Sequence, residues 1–164
     1  MNLQIRPLRT EDMAAVVQLS LLAWAPIFLS FEQVLGSKIY KLIYPDWQTA
    51  QRGVVEAVCK NEKITVWLAE VDGAVAGFIA YELDSQEHSQ DRTGEVELLA
   101  VHPAYQNRGI GTALNRFALQ KMRESGMKLV GVGTGGDPGH APARRSYEKA
   151  GYTALPLVRY YQDL

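Results

Sequence analysis

The sequence predicts an α+β fold in which helices lie on the faces of a mostly antiparallel sheet. Three observations predict it. Apolar residues recur at helical spacing near the N-terminus, three strand-like stretches follow in the middle, and helix and strand patterns alternate after that. The 164 residues are enough for one domain with a core of its own, and we expect a single domain over 1–164.

The N-terminal part is predicted to hold one strand and three helices. The strand covers residues 3–8, and Thr10 is suited to cap the helix that follows. Pro26 should interrupt this helix, because proline lacks the amide hydrogen that a helix interior needs. Two more helices are predicted over residues 31–44 and 47–60.

The middle of the chain is predicted to form three strands. Residues 64–71 and 74–83 should pair as a hairpin, because Asp72-Gly73 between them is a strong turn signal. The third strand covers residues 95–101. It follows a polar stretch, 84–93, that we expect to be a loop.

The C-terminal part is predicted to alternate helix and strand. The clearest helix of the chain covers residues 109–125, and a strand over 127–132 follows it. A Gly-rich loop over 134–139 then leads to a last helix over 141–150. The tail, 152–161, reads as a bent pair of strands.

Composition excludes several classes of function. With 17 basic and 18 acidic side chains, the net charge is -1, so we expect no nucleic-acid partner and no attraction to an anionic membrane. No apolar run is expected to span a bilayer. Cys59 is the only cysteine and no export signal is evident, which favours the cytoplasm. Three scattered histidines predict no metal site.

The turn before the helix at residue 109 has the features of an anion site. The first amides of a helix have no internal acceptors and lie at the positive end of the helix dipole. Gly109 and Gly111 would let an anion approach those amides, and Arg108 adds a full positive charge. The alternative is that the two glycines only allow the helix to pack tightly against the sheet.

The surrounding sequence connects this turn to a known family. Residues 101–114 read VHPAYQNRGIGTAL and resemble the acetyl-CoA signature of the GNAT superfamily of N-acetyltransferases. Gln106, Gly109 and Gly111 match its core, which is Gln or Arg, two variable residues, Gly, one variable residue, then Gly or Ala. The resemblance covers nearly the whole chain. It implies a three-layer αβα fold around a central mixed sheet, with acetyl-CoA as co-substrate and no metal.

The resemblance also implies which residues hold acetyl-CoA. The turn would bind the pyrophosphate through Gln106, Asn107, Arg108, Gly109, Ile110 and Gly111, with Thr112 beside them. The end of the preceding strand would pair with the pantetheine arm through the backbone of Leu99, Ala100 and Val101.

A second stretch, 140–152, resembles a later motif of the family. Ala143, Tyr147, Gly151 and Tyr152 match that motif, whereas His140 stands where the family typically has Asn. His140 would then replace the Asn as a ligand of the pantetheine, or would lie in the loop without a functional role. Arg144 is expected to meet a phosphate of the nucleotide.

Catalytic roles are assigned by the same resemblance and by acid–base chemistry. Tyr147 would donate a proton to the departing coenzyme A thiolate; the alternative is a tyrosine that only packs the helix. Glu95 and Glu97 lie two apart on a strand, so we expect them on one face, with either as the base. Glu95 is preferred, and the alternative is a solvated strand face.

Two further features complete the expectations. Residues 131–136 formally satisfy the dinucleotide pattern GxGxxG, but Pro138 follows and no ribose-binding acid is correctly spaced, so a loop beside the acyl site is expected. The acceptor region is expected near aromatic residues of the N-terminal helices, bordered by Asp137 and the 84–93 loop. Those aromatic residues are Trp24, Phe28, Phe31 and Tyr40.

The predicted function is therefore transfer of the acetyl group of acetyl-CoA directly to a primary amine of a small molecule or peptide. One alternative is a non-catalytic acyl-CoA-binding or sensor domain of the same fold. Another is a nucleotide-binding enzyme that uses the loop at 131–136. A homodimer is compatible with the sequence.

Overall fold

A five-stranded sheet forms the centre of the molecule in a computed structural model, which describes residues 2–84 and 92–164. The strands are β1 (Leu3–Pro7), β2 (Ile64–Val71), β3 (Ala74–Glu82), β4 (Thr93–Val101) and β5 (Leu129–Val132). The helices are α1 (Met13–Ile43), α2 (Trp47–Lys60), α3 (Ile110–Glu124) and α4 (Ala141–Lys149). Residues 85–91 of the predicted 84–93 loop lie outside the described residues.

The sheet is mixed, as expected. Its strands run in the order β1-β2-β3-β4-β5; the first four pair antiparallel, and β4 and β5 pair parallel. The parallel pair arises because α3 connects β4 to β5 and returns the chain to the same end of the sheet.

The helices cover both faces of the sheet, which gives three layers. On one face, Leu114 and Met122 of α3 belong to the same core cluster as Ile79 of β3. On the other face, Val16 of α1 and Val55 of α2 pack in a cluster with β2, β3 and β4. The α+β class and the three-layer αβα arrangement predicted from the sequence are confirmed.

Helix α1 differs from its prediction. It continues through Pro26, which is exposed, and its only non-helical backbone lies at Gly36, with φ 76° and ψ 154°. The interruption at Pro26 was therefore wrong: a proline on the solvent side costs a helix one hydrogen bond without stopping it.

The same region also corrects the expectation about apolar runs. Thr10–Ile43 is long and apolar enough to cross a membrane by length and composition. Core helices pass the same test. Val16, Val17 and Leu19 of this segment are buried against the sheet.

The C-terminal tail corrects a second prediction. Residues 152–164 form no strand, although a bent pair of strands was expected over 152–161. The apolar residues that suggested strands are on the surface: Leu155 and Leu157 are each 81% exposed. Pro156 between them cannot donate to a ladder, which disfavours pairing with β5. Near its end the tail is held to α1 by an ion pair between Asp163 and Lys38.

Candidate active site

The sheet opens where β4 and β5 part. The two strands pair only over 93–96 and 129–132, after which β5 ends while β4 continues to Val101. Within the described ranges, residues 97–101 therefore have no strand partner on the β5 side. Backbone amides and carbonyls along an open strand edge can accept an extended ligand as an additional strand. We call this opening the β4–β5 slot.

A β-bulge distorts β4 at the beginning of the slot. Val96 pairs with Tyr81 and Leu98 pairs with Ala80, so Glu97 is an extra residue between two adjacent pairs. Val96 packs on the α3 side of the sheet and Leu98 on the α1 side, although they are two residues apart. Simple alternation thus fails here, and the shared face assumed for Glu95 and Glu97 does not follow. Glu95 is half-buried and Glu97 is exposed.

The turn from β4 to α3 is closed by side chains. The amide nitrogen of Gln106, Nε2, donates to the carbonyl of Val101 over 3.1 Å, which ties the turn to the end of β4. Asn107 and Gly109 have positive φ values of 61° and 80°, and this sharp path brings the chain back to start the helix. Gln106 is therefore a residue that shapes the turn.

The first turn of α3 presents amides to the mouth of the slot. Its first helical hydrogen bond joins the Ala113 amide to the Gly109 carbonyl over 2.9 Å. The amides before Ala113, at residues 110–112, thus precede the helical ladder, and no side chain caps them in the part of the chain that the structure describes. A Cβ on Gly111 would lie 3.4 Å from the Val101 side chain, so the helix starts close to β4.

Arg108 adds a charge at this mouth. Its side chain is exposed, and its guanidinium lies 5.5 Å from the ring centre of Tyr105. Ile110, by contrast, is 1% exposed and packs in the core, so only its backbone amide is open to a ligand. Amides and one cation around a glycine turn form a site for a phosphate-sized anion.

Two tyrosines lie together at the C-terminal end of α4, Tyr147 within the helix and Tyr152 just after it. The rings of Tyr147 and Tyr152 are 5.5 Å apart, edge to face. Burial raises the pKa of Tyr147 to about 12, and the neighbouring Tyr152 adds to this. Burial also raises the pKa of Tyr152 to about 12, a hydrogen bond to Asn115 opposes this, and the charge of Glu95 adds to it. Tyr147 therefore keeps its proton at neutral pH.

The loop after β5 surrounds a buried acid. The Asp137 carboxylate accepts hydrogen bonds from the Ser30 hydroxyl (2.6 Å) and the Gly139 amide (3.1 Å), and its other oxygen lies 2.5 Å from Nδ1 of His140. Burial opposes the charge on Asp137, but the hydrogen bonds from Ser30 and His140 keep its pKa below the ordinary value. This cluster joins α1 to the loop.

Glycines allow the loop to close around Asp137. A Cβ on Gly135 would collide with both Asp137 and His140, and a Cβ on Gly139 would lie 2.6 Å from Ser30. The Gly-rich segment is thus a loop, as predicted, and its glycines at these two positions serve close side-chain packing.

Arg144 holds the same loop from α4. Its Nη1 donates to the carbonyls of Gly135 (2.5 Å) and Asp137 (2.8 Å). Ala143 precedes it, half-buried, on the first turn of α4. A nucleotide phosphate, the ligand expected for Arg144, would have to compete with these two carbonyls.

An aromatic cluster lies on the other side of His140. Phe28 stacks on Trp47 with centroids 4.4 Å apart, and Phe31 stacks on Tyr44 at 5.4 Å. The His140 ring lies 5.6 Å from Phe31. Tyr40, expected here, contacts Tyr44, whereas Trp24 packs in the core instead.

Sequence reasoning missed several members of the site. Ser30 and Asn115 carry no motif, and their partners lie 107 and 37 residues away. Tyr44 and Trp47 flank the boundary between α1 and α2, so helical spacing does not group them with Phe28. Asp137 was expected at the border of the acceptor region, and it does contact α1 through Ser30.

Comparison with known proteins identifies the fold family. A sequence profile of the acetyltransferase (GNAT) family matches residues 35–152, which is most of the chain. The chain belongs to the GNAT acetyltransferase family. The matched residues include the slot, the α3 turn and α4.

Curated relatives share part of their length with this GNAT domain. A mycothiol acetyltransferase from Sanguibacter keddieii is 38% identical over 87 residues, 52% of this chain and 27% of the relative. An N-alpha-acetyltransferase from Sulfurisphaera tokodaii is 29% identical over 108 residues, 62% of this chain and 64% of that protein. The chain thus spans less than a third of the first relative and under two thirds of the second.

Solved structures share the GNAT fold at low identity. PaiA N-acetyltransferase from Thermoplasma acidophilum, in complex with coenzyme A, superposes with a TM-score of 0.68 at 18% identity, over 94% of this chain and 92% of that one. The AAC(6')-Iy complex with a bisubstrate analogue has a TM-score of 0.67 at 17% identity, over 100% and 99% of the two chains.

One cavity of this GNAT domain lies away from the slot. It has a volume of about 470 Å³ and lies between α1 and α2, beside Leu22, Trp47 and Arg52. It is remote in sequence from the α3 turn, and an extended cofactor fits an open slot better than a cavity. No three metal-binding side chains come together in residues 2–84 and 92–164.

Proposed function

We propose that this GNAT protein transfers the acetyl group of acetyl-CoA directly to a primary amine of a small molecule or peptide. The observation that carries the proposal is the position of the α3 amides beside the open edge of β4. The α3 amides suit a diphosphate, and the open edge of β4 suits an extended arm that contains amides. Coenzyme A has both groups in one molecule, so it needs these two features next to each other.

The cofactor would lie along the slot. The amides of Gly109, Ile110, Gly111 and Thr112 would bind the pyrophosphate, with Asn107 and Arg108 at the rim. The backbone of Leu99, Ala100 and Val101 would pair with the pantetheine, while Gln106 keeps the turn closed. Ala143 is small enough to let α4 approach the arm.

The reaction needs no covalent enzyme intermediate. The amine nitrogen attacks the thioester carbonyl, the carbon–sulfur bond breaks, and coenzyme A leaves as a thiolate. Backbone amides at the bulge of β4 are suited to stabilise the oxyanion. Glu95 and Glu97, at this bulge, are the carboxylates that the sequence predicts as acceptors of the amine proton.

Tyr147 would stabilise the leaving thiolate. Its pKa of about 12 exceeds that of a thiol, about 8.5, so full proton transfer is uphill by about 5 kcal/mol. Hydrogen-bond donation without transfer is therefore the favoured role. No hydrogen bond occupies the Tyr147 hydroxyl among the residues that the structure describes, which leaves it available.

The acceptor substrate in this proposal is a primary amine. Relatives and fold neighbours are named mycothiol acetyltransferase, N-alpha-acetyltransferase and aminoglycoside N-acetyltransferase, and this chain covers only part of the curated relatives. The aromatic cluster of Phe28, Phe31 and Tyr44 favours an amine with an apolar or planar body.

Calorimetry with acetyl-CoA tests the proposal. We expect saturable binding by the wild-type protein and about fivefold weaker binding by Arg108→Ala, since a partly solvated charge contact is worth about 1 kcal/mol. Arg123→Ala is the matched control, because Arg123 is exposed at the opposite end of α3, and its affinity should be unchanged.

Thiol release then tests catalysis. The wild-type protein is incubated with acetyl-CoA and, separately, an aminoglycoside, a peptide with a free N-terminus, and an arylalkylamine. At least one amine should accelerate thiol release and gain an acetyl group by mass spectrometry. Binding without acetylation of any amine would support the sensor alternative. Absence of acetyl-CoA binding would refute the proposal altogether.

A further inference from the structure

We propose that His140 is the general base of this acetyl transfer and that Asp137 holds it in the active tautomer. The inference rests on the proposed function and replaces Glu95 and Glu97 in one role. Nε2 of His140 would take a proton from the acceptor ammonium. The neutral amine then bonds to the acetyl carbon, and the thioester bond breaks with its electron pair on sulfur. The second proton of the amine nitrogen passes to the departing thiolate, so that coenzyme A is released as the thiol and the acetylated nitrogen is neutral.

The hydrogen bonds fix the tautomer. A carboxylate can only accept, so Nδ1 of His140, 2.5 Å from Oδ1 of Asp137, must carry the hydrogen. Ser30 and Gly139 both donate to Oδ2, which fixes the orientation of the carboxylate toward the imidazole. Nε2 is then the nitrogen with a lone pair, and it has no partner among the residues that the structure describes.

The Asp137–His140 pair is tightly packed. The Asp137 side chain is 8% exposed and that of His140 is 16% exposed. Gly135 and Gly139 leave no room for a Cβ beside the pair, and Arg144 fixes the loop through two carbonyls. Three elements, α1, the loop and α4, therefore hold one imidazole.

The location fits a base for the acceptor. The loop starts at the end of β5, where the slot opens, and His140 is the last residue before α4. On its other side the ring faces Phe31 of the aromatic cluster. His140 thus follows the strand that borders the slot and contacts the proposed acceptor region, where a base for the acceptor amine would be needed.

Imidazole chemistry also suits the role. A neutral imidazole has one ring nitrogen with a lone pair, and histidine is the side chain that most often acts as a general acid or base. Asp137 on the loop and Arg144 on α4 are the charged groups around His140. Tyr44, directly after α1, interacts electrostatically with Asp137 and with Arg159 and Tyr161 of the tail.

The variant His140→Asn separates this role from others. The asparagine amide can still donate to Asp137, as Nδ1 does, but it offers no base at the position of Nε2. We expect thiol release with the best amine of the panel to fall 10²- to 10⁴-fold at pH 7. The acidic limb of the pH profile should disappear, and the Kd for acetyl-CoA should stay within twofold. If no amine is accepted, acetyl-CoA hydrolysis, with water as the acceptor, is measured instead.

Matched variants complete the test. Asp137→Asn should lower turnover because an amide can favour the wrong tautomer, whereas Glu95→Gln should keep the acidic limb. Nitrogen NMR of the wild-type imidazole should show hydrogen on Nδ1 and none on Nε2 in the neutral form. This spectrum needs neither substrate nor a folded variant.

Contrary results are distinct from a failure of the proposed function. Should His140→Asn bind acetyl-CoA normally and turn over within threefold of wild type, the base assignment is overturned while the acetyltransferase stands. Weaker acetyl-CoA binding with unchanged maximal turnover would make His140 a pantetheine ligand and also overturn it. Hydrogen on Nε2 in the neutral imidazole would also overturn the assignment of His140 as the base.

Discussion

The hydroxyl of Tyr152 donates a hydrogen bond to Oδ1 of Asn115 over 3.1 Å. This contact joins the end of α4 to the buried face of α3, since Asn115 is only 2% exposed. It also positions Tyr152 against the ring of Tyr147, the proposed donor to the thiolate. This polar pair thus supports the side chain of the proposed donor.

Asn115→Ala should destabilise the fold. The substitution leaves the Tyr152 hydroxyl without its acceptor, which costs about 1–3 kcal/mol. The melting temperature should fall by about 2–4 °C per kcal/mol for a chain of this size. Gln120→Ala, on the exposed side of the same helix, is the control and should change stability by less than about 0.5 kcal/mol. Equal melting temperatures for Asn115→Ala and wild type would contradict the role of the pair.

Gly109→Ala and Gly111→Ala should behave differently. Gly109 has φ 80°, so alanine there is strained by about 1–2 kcal/mol although its Cβ meets open space. Gly111 has no positive φ, and its Cβ would reach only ordinary contact with Val101. Thermal melting should detect a loss for Gly109→Ala alone, while calorimetry should find both variants at least tenfold weaker for acetyl-CoA. Unchanged affinity in both would exclude the anion site.

Tyr147→Phe should slow turnover without weakening cofactor binding. Loss of the hydrogen bond to the leaving thiolate should reduce kcat about 10- to 100-fold, within the range of a single stabilising donor. Calorimetry should give a Kd for acetyl-CoA close to that of wild type. Tyr160→Phe is the matched control in the exposed tail and should leave kcat unchanged. A Tyr147→Phe enzyme with wild-type kcat would end the assignment.

Stability should decline at alkaline pH because of the buried tyrosines. The pKa values of Tyr147 and Tyr152 are about 12 in the folded protein and near 10 when unfolded. Between pH 10 and 12 the unfolded state therefore loses protons that the folded state keeps, and the free energy of unfolding falls as pH rises. Below pH 10 these residues contribute no pH dependence.

Denaturant titrations at pH 9, 10 and 11 measure this effect. Tyr147→Phe should show a shallower decline than its parent. Burial raises the pKa of Cys59 to about 11, so a Cys59→Ser background removes a second contribution that begins near pH 9. Parallel declines in parent and variant would mean that Tyr147 titrates normally.

Local sequence patterns predicted the elements that depend on local physics. Helix α3 repeats apolar residues at helical spacing, and the β2–β3 hairpin has Asp72 and Gly73 at its turn, both with positive φ. The α3 turn was predictable for the same reason, since glycines, a charge and a helix start lie within a few residues. These features need no knowledge of distant partners.

Other features depend on contacts that a linear reading does not show. The bulge at Glu97 exists only relative to its partner strand β3, so the faces of Glu95 and Glu97 were predicted from an alternation that fails. The pairing of Ser30 with Asp137 spans 107 residues. The tail has a strand-like composition but lies on the surface. In each case tertiary packing decides the outcome.

The short junction between β4 and β5 has a mechanical consequence. Four residue pairs, from Thr93↔Leu129 to Val96↔Val132, join β5 to the rest of the sheet in the part of the chain that the structure describes. A molecule bound along the edge of β4 beyond these pairs would add backbone hydrogen bonds that β5 is too short to provide. Amide protons of β5 and α4 should then gain more protection from deuterium when that molecule binds than those of the β1–β3 meander, whose ladders are already complete.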